Sequence, residues 1–175
     1  MALDVVAFPL AQDLLGCLCG ALEESLGGPP CRCCVYPGAQ VPADSCCDCG
    51  AGQGQAWVRV AKIFPAAARF PEQSFAVESC ASRSWGVELE VGVYRCVATV
   101  DDEGNPPSCE QVEHDAAVIL DDAAAMRRAV ACCFADGEHG NRDLVVGEWT
   151  PIGPSGGCGG GSMTVTIQAY DCACP

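Results

Sequence analysis

Two cysteine clusters dominate the chemistry that this sequence offers. Cys31-Arg32-Cys33-Cys34 and Cys46-Cys47-Asp48-Cys49 each contain a Cys-x-x-Cys pair, with eleven residues between the pairs. Two such turns can gather Cys31, Cys34, Cys46 and Cys49 around one Zn²⁺, because a tetrahedral structural site takes four soft donors from short, tight turns. The surrounding segment, residues 29–55, is rich in Pro, Gly and Cys and repeats with neither a period of 2 nor one of 3.6. It reads as an irregular insert held by something other than a hydrophobic face, and structural zinc would supply that restraint. The extra Cys33 and Cys47 blur the choice of ligands. Disulfides formed after assembly would serve the same purpose, and free buried thiols are a third reading. A thioredoxin-like activity fits poorly. That chemistry sets the motif at the start of a helix, where the dipole lowers a thiol pKa, and both motifs here sit in Pro/Gly-rich chain.

The remaining candidates carry less. His114 and His139 are the only histidines. His114 falls in the first turns of a helical stretch between Glu113 and Asp115, and His139 falls in a loop; neither adjoins a nucleophile signature. Asp101-Asp102-Glu103 and Asp121-Asp122 lack the alternating oxygen spacing of a calcium loop, and read as a solvated turn and a solvated helix face. The glycine run over 153–161 lacks the Gly-Lys-Ser/Thr of a phosphate loop and joins two strands. It reads as a flexible hairpin tip, or as a loop that orders against a partner. No catalytic and no cofactor-binding residue is assigned, and a non-enzymatic protein is expected.

Composition narrows the class. The chain has 175 residues, half of them apolar, which suffices for one domain with a real core over 1–175. Its 23 acids against 9 bases leave a formal net charge of −14, and Lys62 is the only lysine. Nucleic acid normally requires a basic footprint that releases counterions, so direct binding to it is disfavoured, as is binding to an anionic membrane. The first thirty residues lack a basic leader, and Asp4, Asp13, Glu23 and Glu24 interrupt their apolar run. A protein made and kept in a cytoplasm is therefore expected. Sixteen cysteines would read as a disulfide framework in a secreted chain, whereas a cytoplasmic setting gives metal binding or free thiols more weight.

The elements that must position these residues are readable in outline. Residues 9–26 have Leu10, Leu14, Cys17, Leu18, Ala21 and Leu22 at helical spacing, with Pro9 at the start and Gly27-Gly28-Pro29-Pro30 at the end. After the insert, 56–64 reads as a strand, followed by a linker of about twenty residues with Pro65 and Pro71, long enough to suggest a binding surface. Over 85–98, Trp85, Val87, Leu89, Val91, Val93 and Val97 alternate with polar and small residues. Arg95 breaks the apolar face, and is expected near a sheet end where its head reaches water. Ser108 and Gln111 form a capping-box signature ahead of a long helix closed by residues 137–142. Its apolar stripe is Val112, Ala116, Ile119, Leu120, Ala123, Val130 and Phe134, with Met126 beside it. Strands follow at 144–150 and 162–170. The order predicts an α+β fold: a small, mainly antiparallel sheet of about four strands, two helices on one face and the Cys-rich insert.

Several strings taken together resemble one protein family. They are Gly54-Gln55-Ala56-Trp57-Val58-Arg59-Val60, Phe70-Pro71-Glu72-Gln73, Val87 to Cys96, Leu120 to Arg128, and Trp149 to Cys158. They resemble the head-to-tail connector proteins of long-tailed phages that infect actinobacteria, over most of the chain after the first helix. Within the connector, the element order is similar to that of tail-terminator proteins. The resemblance implies a non-enzymatic virion protein of the neck, assembled in the host cytoplasm as a homo-oligomeric ring, a hexamer. That ring would cap the tail tube and join it to the head. Its partners would be the major tail (tube) protein and the adjacent head-closure protein. On this view Phe70, Pro71, Glu72 and Gln73, and Ile152, Gly153, Pro154 and Gly157, contact the tube or the next ring. A head-closure or other neck protein is the nearest alternative, and a cytosolic zinc module or thiol oxidoreductase the more distant one. The Cys insert is not general to tail terminators, so the resemblance assigns it no role.

Overall fold

The computed structural model describes residues 4–43, 46–47, 54–74, 84–135 and 143–170. Its elements run α1 (Ala7–Glu23), β1 (Arg32–Tyr36), β2 (Gln55–Pro65), β3 (Ser84–Cys96), α2 (Cys109–Cys133), β4 (Leu144–Ser155) and β5 (Cys158–Tyr170). The fold is α+β. Five strands form one sheet in the order β1-β2-β3-β5-β4; β1 runs parallel to β2 and every other pair is antiparallel. The fifth strand corrects the expectation of about four. Arg32–Tyr36 lies inside the segment read as irregular, because a short edge strand can be recruited by backbone pairing without any period of its own.

The helix α1 begins two residues earlier than its spacing suggested, and Pro9 still falls in the first turn, where its missing N–H costs nothing. The cap is Asp4, whose carboxylate accepts from the backbone N–H groups of Val6, Ala7 and Phe8. Partial burial opposes ionisation of this carboxyl, but the donors from Phe8, Val6 and Ala7 together outweigh it and hold its pKa below the ordinary value. The capping box of α2 forms as its sequence requires: Ser108 Oγ accepts from Gln111 N at 3.2 Å, and Ser108 N donates to Gln111 Oε1 at 2.9 Å. The residues expected to close α2, 137–142, lie outside the described residues.

Both helices pack on one sheet face, α1 over β1 and β2 and α2 over β5 and β3, in contact with each other. Leu14, Leu18 and Leu22 of α1 meet Val58 of β2, Val87, Leu89, Val91 and Val93 of β3, and Met163, Val165 and Ile167 of β5. The period-2 alternation read in the sequence is this buried face. On α2 the expected stripe is only partly realised. Ala123, Met126, Val130 and Phe134 are buried, but Val112 and Leu120 are exposed.

The opposite face is arranged differently. Trp57 stands directly across from Gly92, and Phe64 directly across from Gly86. A Cβ at either glycine would overlap the facing ring. Each aromatic therefore lies flat over a strand that has made room for it. Trp57, Tyr94, Val41, Cys46 and Cys158 form a second, smaller core beneath the insert. Further along this face, Arg59 pairs with Glu90 across strands, and Lys62 lies 4.9 Å above the Phe64 ring.

Gly92→Ala is expected to destabilise the protein by about 1–3 kcal/mol through overpacking against Trp57. Gly16→Ala, in an exposed helix interior with open space around it, is expected to stabilise by about 0.5–1 kcal/mol. Urea unfolding of the two variants measures both signs. Asp4→Ala should cost about 0.5–2 kcal/mol at neutral pH. Because the folded pKa is depressed, the contribution of Asp4 is complete above the unfolded value and disappears as pH falls through the folded one. The gap between Asp4→Ala and the parent protein therefore narrows in acid, as unfolding midpoints taken across the pH range will read.

Candidate functional site

The cysteines meet at one end of the sheet. Cys96 closes β3 and Cys158 opens β5, and the two are cross-strand partners. From the insert, the adjacent residues Cys46 and Cys47 reach down to them. Cys46 bonds to Cys158 and Cys47 to Cys96. Neighbouring Cα atoms lie about 3.8 Å apart, short of the usual disulfide span of about 4.4–6.8 Å, so each cysteine of the dipeptide finds its partner on a different strand. The sulfurs of Cys46, Cys47 and Cys158 all lie within 4.8 Å of one another. Cys46 and Cys158 are buried, and Cys47 is at the surface. Gln55 Nε2 donates to Pro42 O at 2.6 Å and Tyr94 Oη to Val41 O at 3.4 Å, which fixes the descending chain of the insert against the sheet. Burial, and secondarily the charge of Glu90, raise the Tyr94 pKa, so this hydroxyl stays a donor.

Two further bonds tie α1 into the framework. Cys17 bonds to Cys133 of α2 and Cys19 to Cys33 of β1. Cys31 is disulfide-bonded as well. Of the four residues expected to share a zinc ion, Cys31 and Cys46 are thus in disulfides, Cys34 is a free, exposed thiol, and Cys49 lies outside the described residues. Among the described residues, the thiol cluster dense enough for a metal is Cys46, Cys47 and Cys158. The insert supplies only two of these three sulfurs. Cys158 was hidden in a glycine run, and no spacing rule links it to residue 46 more than a hundred positions away.

That glycine run is itself recast. Ser155 pairs with Cys158, so the loop is only Gly156-Gly157, both at positive φ, as a two-residue hairpin turn of the primed type requires. Gly153 to Ser155 end β4 and Cys158 to Gly161 open β5, where Gly161 accommodates the ring of Trp149. The expected contact residues Ile152, Gly153 and Pro154 lie on β4, an outer strand, where Pro151 and Pro154 are tolerated because the edge need not donate. Gly157 lies in the turn, beside Cys47. At the other end of the sheet, the start of the long linker is ordered. Ala66 bridges to Gln73, Ala67 N donates to Glu72 O at 2.8 Å, and the Phe70–Pro71 bond is cis. Pro71, Glu72 and Gln73 are exposed on this small loop, and Phe70 is half-buried.

Arg95 departs from its expected place. It is 2% exposed and not near water. Its Nε donates to Asp122 Oδ2 at 2.6 Å and its Nη2 to Asp122 Oδ1 at 2.8 Å, a two-point pairing of guanidinium and carboxylate. The remaining donors reach Gly27 O at 3.0 Å and Gly28 O at 2.9 Å, just past the end of α1. Ser25 Oγ donates to Asp122 Oδ1 at 2.8 Å. A Cβ on Gly27 would lie 2.6 Å from Arg95 Cζ, so the Gly-Gly pair read as a helix stop is also the seat of the guanidinium. Asp122, read as part of a solvated face, is buried; its neighbour Asp121 instead accepts from Leu26 N.

His114 stands on the exposed first half of α2, where it lines a cleft of about 200 Å³ with Asp115, Val118, Leu26 and Val97. The Asp115 carboxylate is engaged by Ala98 N at 2.7 Å. His139 lies outside the described residues. Asp101 forms the turn expected of it: hydrogen bonds from the Asn105 side chain and backbone hold its carboxyl below the ordinary pKa. No described helix is long and apolar enough to cross a membrane. No protein-family model matches this chain, and no curated protein matches it.

Arg95→Met should destabilise by about 3–5 kcal/mol, because it leaves Asp122 buried and uncompensated. Arg95→Met combined with Asp122→Leu should recover most of that loss. A double-mutant cycle by denaturant unfolding checks both, and equal losses in the single and double variants would contradict the pairing.

Proposed function

We infer that this chain is a structural, ring-forming protein of a phage neck, a tail terminator that caps the tail tube and presents a surface to the head. The family resemblance carries the identity. The observation that carries the ring is β4: a twelve-residue outer strand with one side unpaired among the described residues. Such an edge invites pairing with another chain unless it is covered or blunted. Val145 and Val146 on it are 40% and 48% exposed. The short β1 edge lies at the opposite side of the sheet, so subunits can be laid side by side in one sense, as a cyclic ring requires. The apolar residues left on the first half of α2, Val112 and Leu120, add a second surface that water does not favour.

The contacts along the ring axis fall to the loop with Pro71, Glu72 and Gln73 and to the outer strand with Ile152, Gly153 and Pro154. The tube protein and the head-closure protein are the partners. The charge of −14 suits a lumen through which DNA slides, since acidic walls repel phosphates. The cysteines serve architecture, as ligands of structural zinc or as cross-links that close when the particle meets an oxidising medium. No substrate is turned over.

Native mass spectrometry and negative-stain microscopy of the purified chain should give a closed ring of about six subunits, as cyclic symmetry allows. Val146→Lys should yield monomer with an unchanged circular dichroism spectrum. A wild-type chain that stays monomeric at every concentration, and in particles, would overturn the assembly role. Labelling of virions at the tube side or the head side of the neck separates tail terminator from head-closure protein.

A further inference from the structure

We propose that Cys46, Cys47, Cys96 and Cys158 form a redox-switched metal site, holding one Zn²⁺ as four thiolates when reduced and closing as two disulfides when oxidised. The inference stands apart from the assembly role and would hold if that role failed.

Backbone pairing and packing bring these residues together alongside the disulfides. Cys96 and Cys158 are register partners on adjacent strands, the terminal pair of the β3–β5 ladder. Their side chains issue from the same face, the face that carries Trp57 and Tyr94. The Cys46-Cys47 dipeptide is brought over them by the packing of Val41 and by the hydrogen bonds of Gln55 and Tyr94. Cys46 Sγ and Cys47 Sγ are 3.5 Å apart, and both approach the Gly157 carbonyl. With Zn–S bonds of about 2.3 Å, tetrahedral sulfurs lie about 3.8 Å from each other. Three of these sulfurs already lie within 4.8 Å of one another, and the fourth, on Cys96, is bonded to one of them. Opening the two S–S bonds and turning the Cys96 side chain towards the other three would complete a tetrahedron. The surroundings fit a closed structural site: Trp57, Tyr94, Val41 and Ile152 form an apolar shell. Only Cys47 is at the surface, so it is the point of entry for metal and oxidant.

The chemistry balances. Four thiols bind Zn²⁺ and release four protons. On oxidation, two molecules of a small disulfide, of the glutathione-disulfide class, each accept two electrons and become two thiols. The protein forms the Cys46–Cys158 and Cys47–Cys96 bonds, the four protons go to the small thiols, and Zn²⁺ leaves. Because the same four sulfurs cross-link the insert in either state, the insert stays anchored throughout.

The test uses the full chain, reduced without oxygen and loaded with zinc chloride, with retention measured against a chromophoric zinc indicator. Relative to the parent, Cys96→Ser and Cys158→Ser should each lower the tightly held zinc by one ion per chain, or weaken its retention at least about tenfold. Cys31→Ser and Cys34→Ser should leave it unchanged. Cobalt in place of zinc should give the visible spectrum of a tetrahedral all-thiolate site. Cys47→His, at the exposed position, should keep one cobalt with a spectrum shifted towards a three-sulfur, one-nitrogen site, a result that does not depend on a buried substitution folding. Glutathione disulfide in excess over the chain's sixteen thiols should then release the zinc from the parent chain. The proposal is overturned if the reduced parent retains no zinc, or if its zinc is insensitive to Cys96→Ser and Cys158→Ser but lost with Cys31→Ser or Cys34→Ser. It also fails if oxidation to the two disulfides leaves the metal in place.

Discussion

The guanidinium of Arg95, buried beneath the end of α1, ties together three parts of the fold that share no sequence neighbourhood. It leaves the sheet from β3, pairs with Asp122 on α2, and is capped by the carbonyls of Gly27 and Gly28. A buried charge is tolerated only when every donor and acceptor around it is matched, and here Ser25 supplies one of the remaining partners. The arrangement contributes less to net stability than to uniqueness of packing. Sliding α1 by a turn, or rotating α2 about its axis, would strand one of the charges in an apolar interior. The leucine stripe of α1 sets how strongly the helix is held; this pair sets where.

The two sheet faces solve different problems. The helix face is a conventional apolar core of Leu, Val, Ile and Met. The other face has few large side chains available, and it concentrates them by placing Trp57 and Phe64 over glycines of the neighbouring strand. Trp57 and Tyr94, with ring centroids 6.1 Å apart, then form a floor on which the insert rests. The insert is thus held by three kinds of restraint at once: pairing of β1 with β2, a small apolar contact, and sulfur bonds to β3 and β5. The expectation of a segment without any hydrophobic face holds for its sequence but not for its packing. Val41 and Ala43 find their apolar partners on the sheet.

On the assembly proposed above, these features would act through rigidity. A subunit that must repeat around a ring has to present the same edge and the same loops each time. A buried ion pair that fixes the helices, and cross-links that fix the insert, would both remove alternatives at the surfaces the proposed neighbours share. On the proposed reading, the formal charge of −14 would disfavour contact with nucleic acid in the assembled ring.

Periodicity along the chain was enough to define most elements. The leucines of α1, the alternation of Val87, Leu89, Val91 and Val93, and the Ser108–Gln111 box are local signals, because helix and strand periods and caps act within a few residues. The α+β class and the antiparallel core of the sheet follow from them. What tertiary structure alone decided are relations between distant residues. β1 exists because β2 offers it a backbone edge. The glycine run became a tight turn and a strand because Trp149 and β3 pack against it. Asp122 is buried because Arg95 lies opposite. Cys46 and Cys47 meet Cys96 and Cys158 because the folding of the insert carries them to the strand ends. Each depends on which surfaces come together in three dimensions, and a pairing across a hundred residues leaves no period in the sequence to read.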